Sequence, residues 1–122
     1  MKTIFYIALG GAIGSVLRYI TAIGVNKVVN FNFPLGTFIA NVLGCLFIGL
    51  FFGYFERQNP VSPELKFFLI TGLCGGYTTF STFSNENVQL LQNNQFGLAF
   101  MYTGLSIIIG FGATYLGLLF TK

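Results

Sequence analysis

The sequence has no histidine, aspartate or tryptophan, and only 7% of its 122 residues are charged. A typical soluble domain carries charge on about a quarter of its residues. So few charged side chains cannot cover a surface in water, and most of this surface must therefore face lipid. Without histidine or aspartate, most metal sites, catalytic triads and general acid–base pairs cannot be assembled, so we do not expect an enzyme.

The net charge of +3 is small. The basic residues are dispersed and stand mainly at the ends of apolar runs, where they anchor helices at the membrane interface. This pattern argues against nucleic acid as a partner. The two cysteines, Cys45 and Cys74, both lie inside apolar runs. We interpret them as buried structural thiols, with a disulfide between them as the alternative.

The apolar runs predict an all-α membrane protein with four transmembrane helices. About 20 helical residues are needed to cross the hydrocarbon core of a bilayer. Four segments meet that length, and the predicted spans are about 3–25, 33–55, 63–91 and 96–120. The connections between them are short, so residues 1–122 are predicted to form a single transmembrane domain. The first run is long and contains Arg18, which favours a span over a signal peptide.

Glycine is abundant, with 16 residues, and several glycines recur at four-residue spacing. Such spacing lets helix backbones approach closely in lipid, where packing replaces the hydrophobic drive. The small residues in this pattern are Gly10 and Gly14, then Gly36, Ala40 and Gly44, and then Gly49 and Gly53. We interpret most of them as helix-packing positions.

The third apolar segment contains a stretch that disfavours a continuous helix. Gly75 and Gly76 are followed by the β-branched Thr78 and Thr79, which make a poor helix interior. A break at membrane depth would free backbone groups that protein, water or an ion must satisfy, and half-helix ends of this kind are recurrent ion sites. The alternative is a kinked helix whose threonine hydroxyls bond its own backbone.

Aromatic and hydroxyl side chains follow this stretch. Phe80 and Phe83 are three residues apart and so share one helix face, with Ser81 and Thr82 beside them. Aromatic rings have a positive edge, so two ring edges and nearby hydroxyls can face a small anion without a fixed positive charge. The alternative, in a chain with 16 phenylalanines, is that both rings serve packing alone.

Polar side chains also occur in the second and fourth segments. Asn41 lies one turn after Thr37, and Tyr102 lies four residues before Ser106. Polar residues inside a membrane mark either pathways or helix contacts, and both interpretations stay open here. Their N–H and O–H groups suit an anion. Tyr102 fits an interfacial position equally well.

Two charged residues also lie within the apolar segments. Arg18 either extends to the nearer interface or forms a cationic vestibule that attracts anions. Glu86 lies near the end of the third segment, where it either lines a wet mouth or pairs with a partner. Along the polar faces, donors outnumber fixed charges. This favours an anion with strong hydrogen bonding, such as fluoride, and leaves other anions open.

Two other classes of protein compete with an anion channel. A small dual-topology proton-coupled cation or drug exporter has a similar length and span number but needs a membrane-embedded carboxylate, for which only Glu86 is available. A non-transporting assembly subunit would explain the glycines but not the clustered hydroxyls and rings.

Four groups of residues resemble the fluoride ion channel family (Fluc/CrcB), and the resemblance covers nearly the whole chain. The stretch Gly75-Gly76-Tyr77-Thr78-Thr79-Phe80-Ser81-Thr82-Phe83 carries it most specifically. The other marks are Gly10 to Gly14 with Arg18-Tyr19, Leu35-Gly36-Thr37 with Asn41 and Gly44, and the pair Tyr102 and Ser106. Tyr77 stands where phenylalanine is more usual in this family.

The resemblance implies a dual-topology antiparallel homodimer with two anion pores, a multi-pass protein of the bacterial plasma or inner membrane. The distribution of lysine and arginine is only weakly biased and so allows both orientations. The implied function is passive efflux of fluoride, which reduces cytoplasmic fluoride toxicity.

The resemblance also implies roles for individual residues. Phe80, Phe83 and Asn41 would line the pore, and Arg18 would form the vestibule. The polar track would be extended by Ser81, Thr82, Tyr102 and Ser106, with Thr37 beside it. A structural sodium ion would lie at the dimer centre, held by the backbone carbonyls of Gly75 and Thr78.

Overall fold

The computed structural model describes residues 1–28, 33–57 and 62–121. Within them the chain is helical, which confirms the all-α prediction. Helix α1 is Lys2–Val28 and helix α2 is Leu35–Arg57. Residues 29–32 and 58–61, which hold most of two predicted connections, and Lys122 lie outside the described residues.

The third apolar segment is divided between two helices. Helix α3, residues 63–77, begins with an α-helical turn at Pro63–Lys66, continues as a π-helix at Phe67–Cys74 and ends with a turn at Gly75–Tyr77. Helix α4 is Phe80–Gln92, and helix α5 is Phe96–Phe120. Helices α1, α2 and α5 are each long and apolar enough to cross a membrane.

The distribution of apolar side chains is the reverse of that in a soluble protein. Tyr102 and Ala40 are fully buried, whereas Phe100, Phe111 and Phe120 are each more than 70% exposed. A water-soluble chain does not leave so many large apolar side chains exposed. The fold is therefore that of a multi-pass membrane protein whose apolar outer surface meets lipid or another chain.

Helix α1 packs on α3 through glycine on both sides. A Cβ atom added at Gly10 would lie 3.0 Å from Cα of Gly72, and one added at Gly76 would lie 2.6 Å from the Gly11 carbonyl oxygen. At Gly14 an added Cβ would meet the carbonyl oxygen of Leu73. The two backbones are thus in direct contact, which confirms the packing role predicted for Gly10 and Gly14.

Helices α2 and α5 approach each other in the same way. A Cβ at Gly117 would lie 2.7 Å from the Leu50 amide nitrogen, and one at Gly49 would meet the Thr114 carbonyl oxygen. The Thr114 hydroxyl donates to the Cys45 carbonyl at 3.1 Å. These contacts place α5 beside α2, so the polar positions of both helices can face the same space.

A tight turn returns the chain from α4 to α5. Asn94 has φ 61°, a left-handed conformation that asparagine tolerates better than most residues. The Gln95 amide donates to the Leu90 carbonyl at 2.8 Å, and the Asn93 amide donates to the Gln89 carbonyl at 3.0 Å. This helix-ending motif needs one left-handed residue. The turn brings Phe83 of α4 against Tyr102 of α5, with ring centroids 4.9 Å apart.

Candidate functional site

Two extended residues separate α3 from α4. Thr78 has φ −84° and ψ 156°, and Thr79 has φ −150° and ψ 124°. The β-branched threonines adopt such angles more readily than helical ones. The Thr78 amide and hydroxyl each donate to the Cys74 carbonyl at 3.0 Å. The Cys74 carbonyl therefore accepts two hydrogen bonds at the end of α3. The preceding π-helix is a rare geometry that is frequent at functional sites.

Asn41 of α2 binds the extended backbone at two points. Its side-chain oxygen accepts a hydrogen bond from the Thr79 amide at 2.8 Å, and its NH₂ group donates to the Thr79 carbonyl at 3.2 Å. The side chain thus replaces helical partners for both polar groups of one residue. A primary amide has two N–H bonds, so Asn41 keeps one donor after this pairing.

Thr79 begins the next helix. Its hydroxyl oxygen accepts a hydrogen bond from the Thr82 amide at 3.2 Å and lies 3.3 Å from the Ser81 hydroxyl. A threonine that accepts from the third residue after it is a favourable N-cap. Gly44 of α2 makes room for the neighbouring Thr78, because a Cβ at Gly44 would meet the Thr78 methyl group.

These contacts release the carbonyls of Gly75 and Thr78 from helical pairing. In an α-helix, each carbonyl accepts from the amide four residues later. For Gly75 that amide is Thr79, which donates to Asn41 instead, and for Thr78 it is Thr82, which donates to the Thr79 hydroxyl. Both carbonyl oxygens are therefore available to a ligand or to water.

A cavity of about 540 Å³ opens beside the extended residues. None of the described residues that line it is charged. Six of the predicted site residues line this cavity together: Asn41, Gly75, Thr78, Phe80, Phe83 and Ser106. The structure thus brings the amide of α2, the extended segment, the rings of α4 and a hydroxyl of α5 to one space.

The two phenylalanines differ in exposure. Phe80 is 79% exposed, whereas Phe83 is half-buried against Tyr102. The Phe80 and Phe83 ring centroids are 5.9 Å apart, with an interplanar angle of 45°. Two tilted rings at this spacing can both direct a positive edge into the cavity.

Ser106 adds a buried hydroxyl to the residues that line the cavity. Its Oγ atom is buried and has no hydrogen-bond partner among the described residues. Buried hydroxyls normally have a partner, and an unpaired one calls for an explanation in a ligand, an ion or water. No described residue therefore uses the donor of Ser106.

Thr37 and Tyr102 do not line the cavity but converge on Glu86. The Thr37 hydroxyl donates to one carboxylate oxygen and the Tyr102 hydroxyl to the other, each at 2.9 Å. Tyr102 is fully buried and Glu86 is half-buried. Both hydroxyls were predicted as donors to an anion, and in the structure both donate to the Glu86 carboxylate. Glu86 is thus the acceptor that joins α2, α4 and α5.

The remaining predicted residues lie elsewhere. Ser81 and Thr82 are exposed on α4, outside the residues that line the cavity, and Arg18 is half-buried on α1. Sequence reasoning placed Thr79 in the stretch that disfavours a helix but did not predict it as an N-cap. The signal was present, because threonine is favoured at the position immediately before a helix.

A family model described as "CrcB-like protein, Camphor Resistance (CrcB)" matches residues 5–118 of the chain. A protein named "Fluoride-specific ion channel FluC" from Flavobacterium psychrophilum is 66% identical over 122 residues, which cover 100% of this chain and 98% of that protein. Another protein of that name, from Bacteroides fragilis, is 46% identical over 120 residues, which cover 96% of this chain and 94% of that protein.

Proposed function

We propose that this chain, which belongs to the CrcB-like protein family, is a fluoride-selective channel through which fluoride leaves the cell passively, so that cytoplasmic fluoride toxicity falls. The observation that carries the proposal is the uncharged cavity that joins Asn41, Phe80, Phe83 and Ser106. The names of the relatives from Flavobacterium psychrophilum and Bacteroides fragilis support the same ion. The function is transport and not catalysis.

The chemistry of the cavity suits fluoride. Fluoride is the smallest halide and the strongest hydrogen-bond acceptor among them, so it needs donors that replace its water. Asn41 keeps one free N–H, and Ser106 has an unpaired buried hydroxyl. The edges of Phe80 and Phe83 add positive potential without a permanent charge that would trap the ion.

A dual-topology antiparallel homodimer would complete the pathway. The outer face of α4 leaves hydroxyl and amide side chains exposed, and Phe80 with them. These polar residues are Ser81, Thr82, Ser84 and Asn85. Polar groups do not remain against lipid, so a second copy or water must cover this face. With the second copy inverted, the same face would serve two pores, and Ser81 and Thr82 would extend the polar track of each.

The interruption between α3 and α4 is proposed to lie at mid-membrane and to hold a structural sodium ion at the dimer centre. Hard cations prefer oxygen ligands. The freed carbonyls of Gly75 and Thr78 fit that preference, because their helical donors bond elsewhere. When bound, sodium would supply local positive charge that favours an anion nearby.

The other polar residues are proposed to guide fluoride along this route. Arg18 would form a cationic vestibule that raises the local anion concentration. Thr37 and Tyr102 would contribute at the level of Glu86, whose carboxylate they already bind. The carboxylate keeps both hydroxyls oriented, so the local structure does not depend on a bound anion.

Fluoride efflux from liposomes tests the proposal. Vesicles loaded with potassium fluoride and containing the purified protein should release fluoride when a potassium ionophore is added, while chloride in matched vesicles stays inside. Phe80→Ile should abolish the release with the dimer intact, because it removes the ring edge at a cavity position that is 79% exposed. Phe100→Ile is the matched control, since Phe100 is 73% exposed on α5 and does not line the cavity.

Three outcomes would contradict the proposal. Equal release of chloride would reject selectivity for fluoride. Full activity of Phe80→Ile would reject the cavity as the pathway. Efflux of an organic cation that depends on a proton gradient would favour the alternative, a dual-topology proton-coupled exporter, with Glu86 as its carboxylate.

A further inference from the structure

The extended residues between α3 and α4 are held from two sides. On one side, Asn41 of α2 binds the backbone of Thr79. On the other, the hydroxyl of Tyr77, the last residue of α3, lies 2.8 Å from the hydroxyl of Thr21 on α1. The second contact joins parts of the chain that are 56 positions apart in sequence.

The direction of this hydrogen bond follows from the surroundings of Thr21. The Thr21 hydroxyl donates to the Leu17 carbonyl at 2.9 Å, and a hydroxyl has one proton to donate. Tyr77 must therefore be the donor and Thr21 the acceptor. The two bonds form a short chain from the end of α3 to the backbone of α1, and each bond polarises the other favourably.

Tyr77 and Thr21 line a different cavity from the one beside Phe80. Tyr77 and Thr21 line a second cavity of about 280 Å³, where the other lining residues are glycine, cysteine and large apolar side chains. Gly44 and Cys74 line both cavities, but Tyr77 and Thr21 do not line the cavity of Phe80. The pair therefore cannot touch an ion in that cavity and acts through the extended residues.

We propose that Tyr77 and Thr21 are positioning residues that fix where α3 ends and thereby orient the carbonyls of Gly75 and Thr78. The proposal rests on the function proposed above for those carbonyls. Loss of this anchor should loosen the site without destroying it, because Asn41 still binds the backbone of Thr79.

Hydrogen–deuterium exchange at residues 78–82 tests the anchor without reference to transport. In Tyr77→Phe and Thr21→Val, amide exchange there should speed up about two- to tenfold, the range for one neutral hydrogen bond. The double variant should not exceed Thr21→Val, because the Tyr77 hydroxyl then has no bond left to lose. Tyr115→Phe is the matched control, since it removes a hydroxyl from an exposed tyrosine on α5.

The sodium dependence of fluoride efflux distinguishes a positioning role from a general loss of stability. Both single variants should need about two- to tenfold more sodium for half-maximal efflux, with unchanged dimer content. Exchange rates equal to those of Tyr115→Phe, or single effects that add in the double variant, would overturn the proposal. If exchange speeds up as expected but the unmodified protein releases no fluoride, the anchor stands and the proposed function fails.

Discussion

The contact between α1 and α3 and the cavity beside Phe80 are built in opposite ways. The first depends on absent side chains, because glycines such as Gly14 and Gly76 bring backbone against backbone. The second depends on side chains, because Asn41 and Thr79 supply hydrogen bonds that the backbone no longer makes for itself. Adding an atom to the first region should therefore impair folding. Removing a hydrogen-bond donor from the second should instead impair ion transport.

The largest effect is expected from Gly14→Ala. The added Cβ would meet the Leu73 carbonyl oxygen and lie 2.8 Å from the Tyr77 amide nitrogen, both backbone atoms that cannot move independently. Overpacking of this kind typically costs about 1–3 kcal/mol and occasionally more. The yield of folded protein on size-exclusion chromatography should fall steeply, and with it the temperature of unfolding.

Gly24→Ala on the same helix is the matched control. A Cβ added at Gly24 has no atom of the described residues within 4 Å, and alanine favours helix over glycine by about 1 kcal/mol. This variant should fold at least as well as the unmodified chain. Equal yields for the two variants would mean that α1 and α3 tolerate separation, and the contrast between the two regions would disappear.

The next largest effect is expected from Asn41→Leu. The substitution keeps a branched side chain of similar shape but leaves the Thr79 amide and carbonyl without partners, at roughly 1–3 kcal/mol for each buried group. It also removes the second N–H of Asn41, a residue that lines the cavity. Fluoride efflux should fall by about a hundredfold or more, since every 1.4 kcal/mol is tenfold.

Asn26→Leu, a change at an exposed position near the end of α1, is the control for Asn41→Leu. It should leave efflux unchanged. Near-normal efflux in Asn41→Leu would show that the extended backbone of Thr79 keeps its geometry without the amide. The extended backbone would then keep its structure without a side-chain partner, as the glycine contact does.

The two regions also differ in how far the sequence predicts them. Apolar length and glycine spacing depend on local pattern, so the spans of α1, α2 and α5 and the packing role of Gly10 and Gly14 could be anticipated. The pattern from Gly75 to Thr79 predicts an unfavourable helix interior, because glycine pairs and β-branched residues disfavour helix. The π-helix that precedes it has no comparable sequence signal.

The partners of the polar side chains could not be predicted, because they are set by tertiary packing. Nothing near Asn41 in sequence indicates that it will bind Thr79, 38 positions away. Likewise, Tyr102 and Ser106 lie on one helix face but differ in role, because only Tyr102 comes within reach of Glu86. Periodicity assigns a residue to a face, and it does not determine what the opposing helix presents there.

A smaller effect is expected at Glu86. Tyr102→Phe removes one of two hydroxyl donors to this carboxylate, and hydrogen bonds to charged groups contribute about 1.5–3 kcal/mol. Fluoride efflux should fall about tenfold, with a lower unfolding temperature. The control is Thr103→Val on the same helix, which loses a neutral bond to Asn87 and should change both quantities less. A larger loss in Thr103→Val would indicate that the packing of α4 on α5, and not the carboxylate, governs this part of the route.

The smallest effect is expected from Ser106→Ala. This variant should also separate folding stability from ion transport most clearly. Its hydroxyl has no hydrogen-bond partner in the described part of the chain, so removing it should leave the unfolding temperature unchanged or slightly higher. Loss of one neutral donor should still reduce fluoride efflux about two- to fivefold, within the range for a single neutral hydrogen bond. Ser15→Ala, at an exposed position on α1, should alter neither quantity. A fall in efflux without a fall in the unfolding temperature would indicate that the Ser106 hydroxyl serves the ion. Removal of a hydroxyl that served packing would lower both quantities.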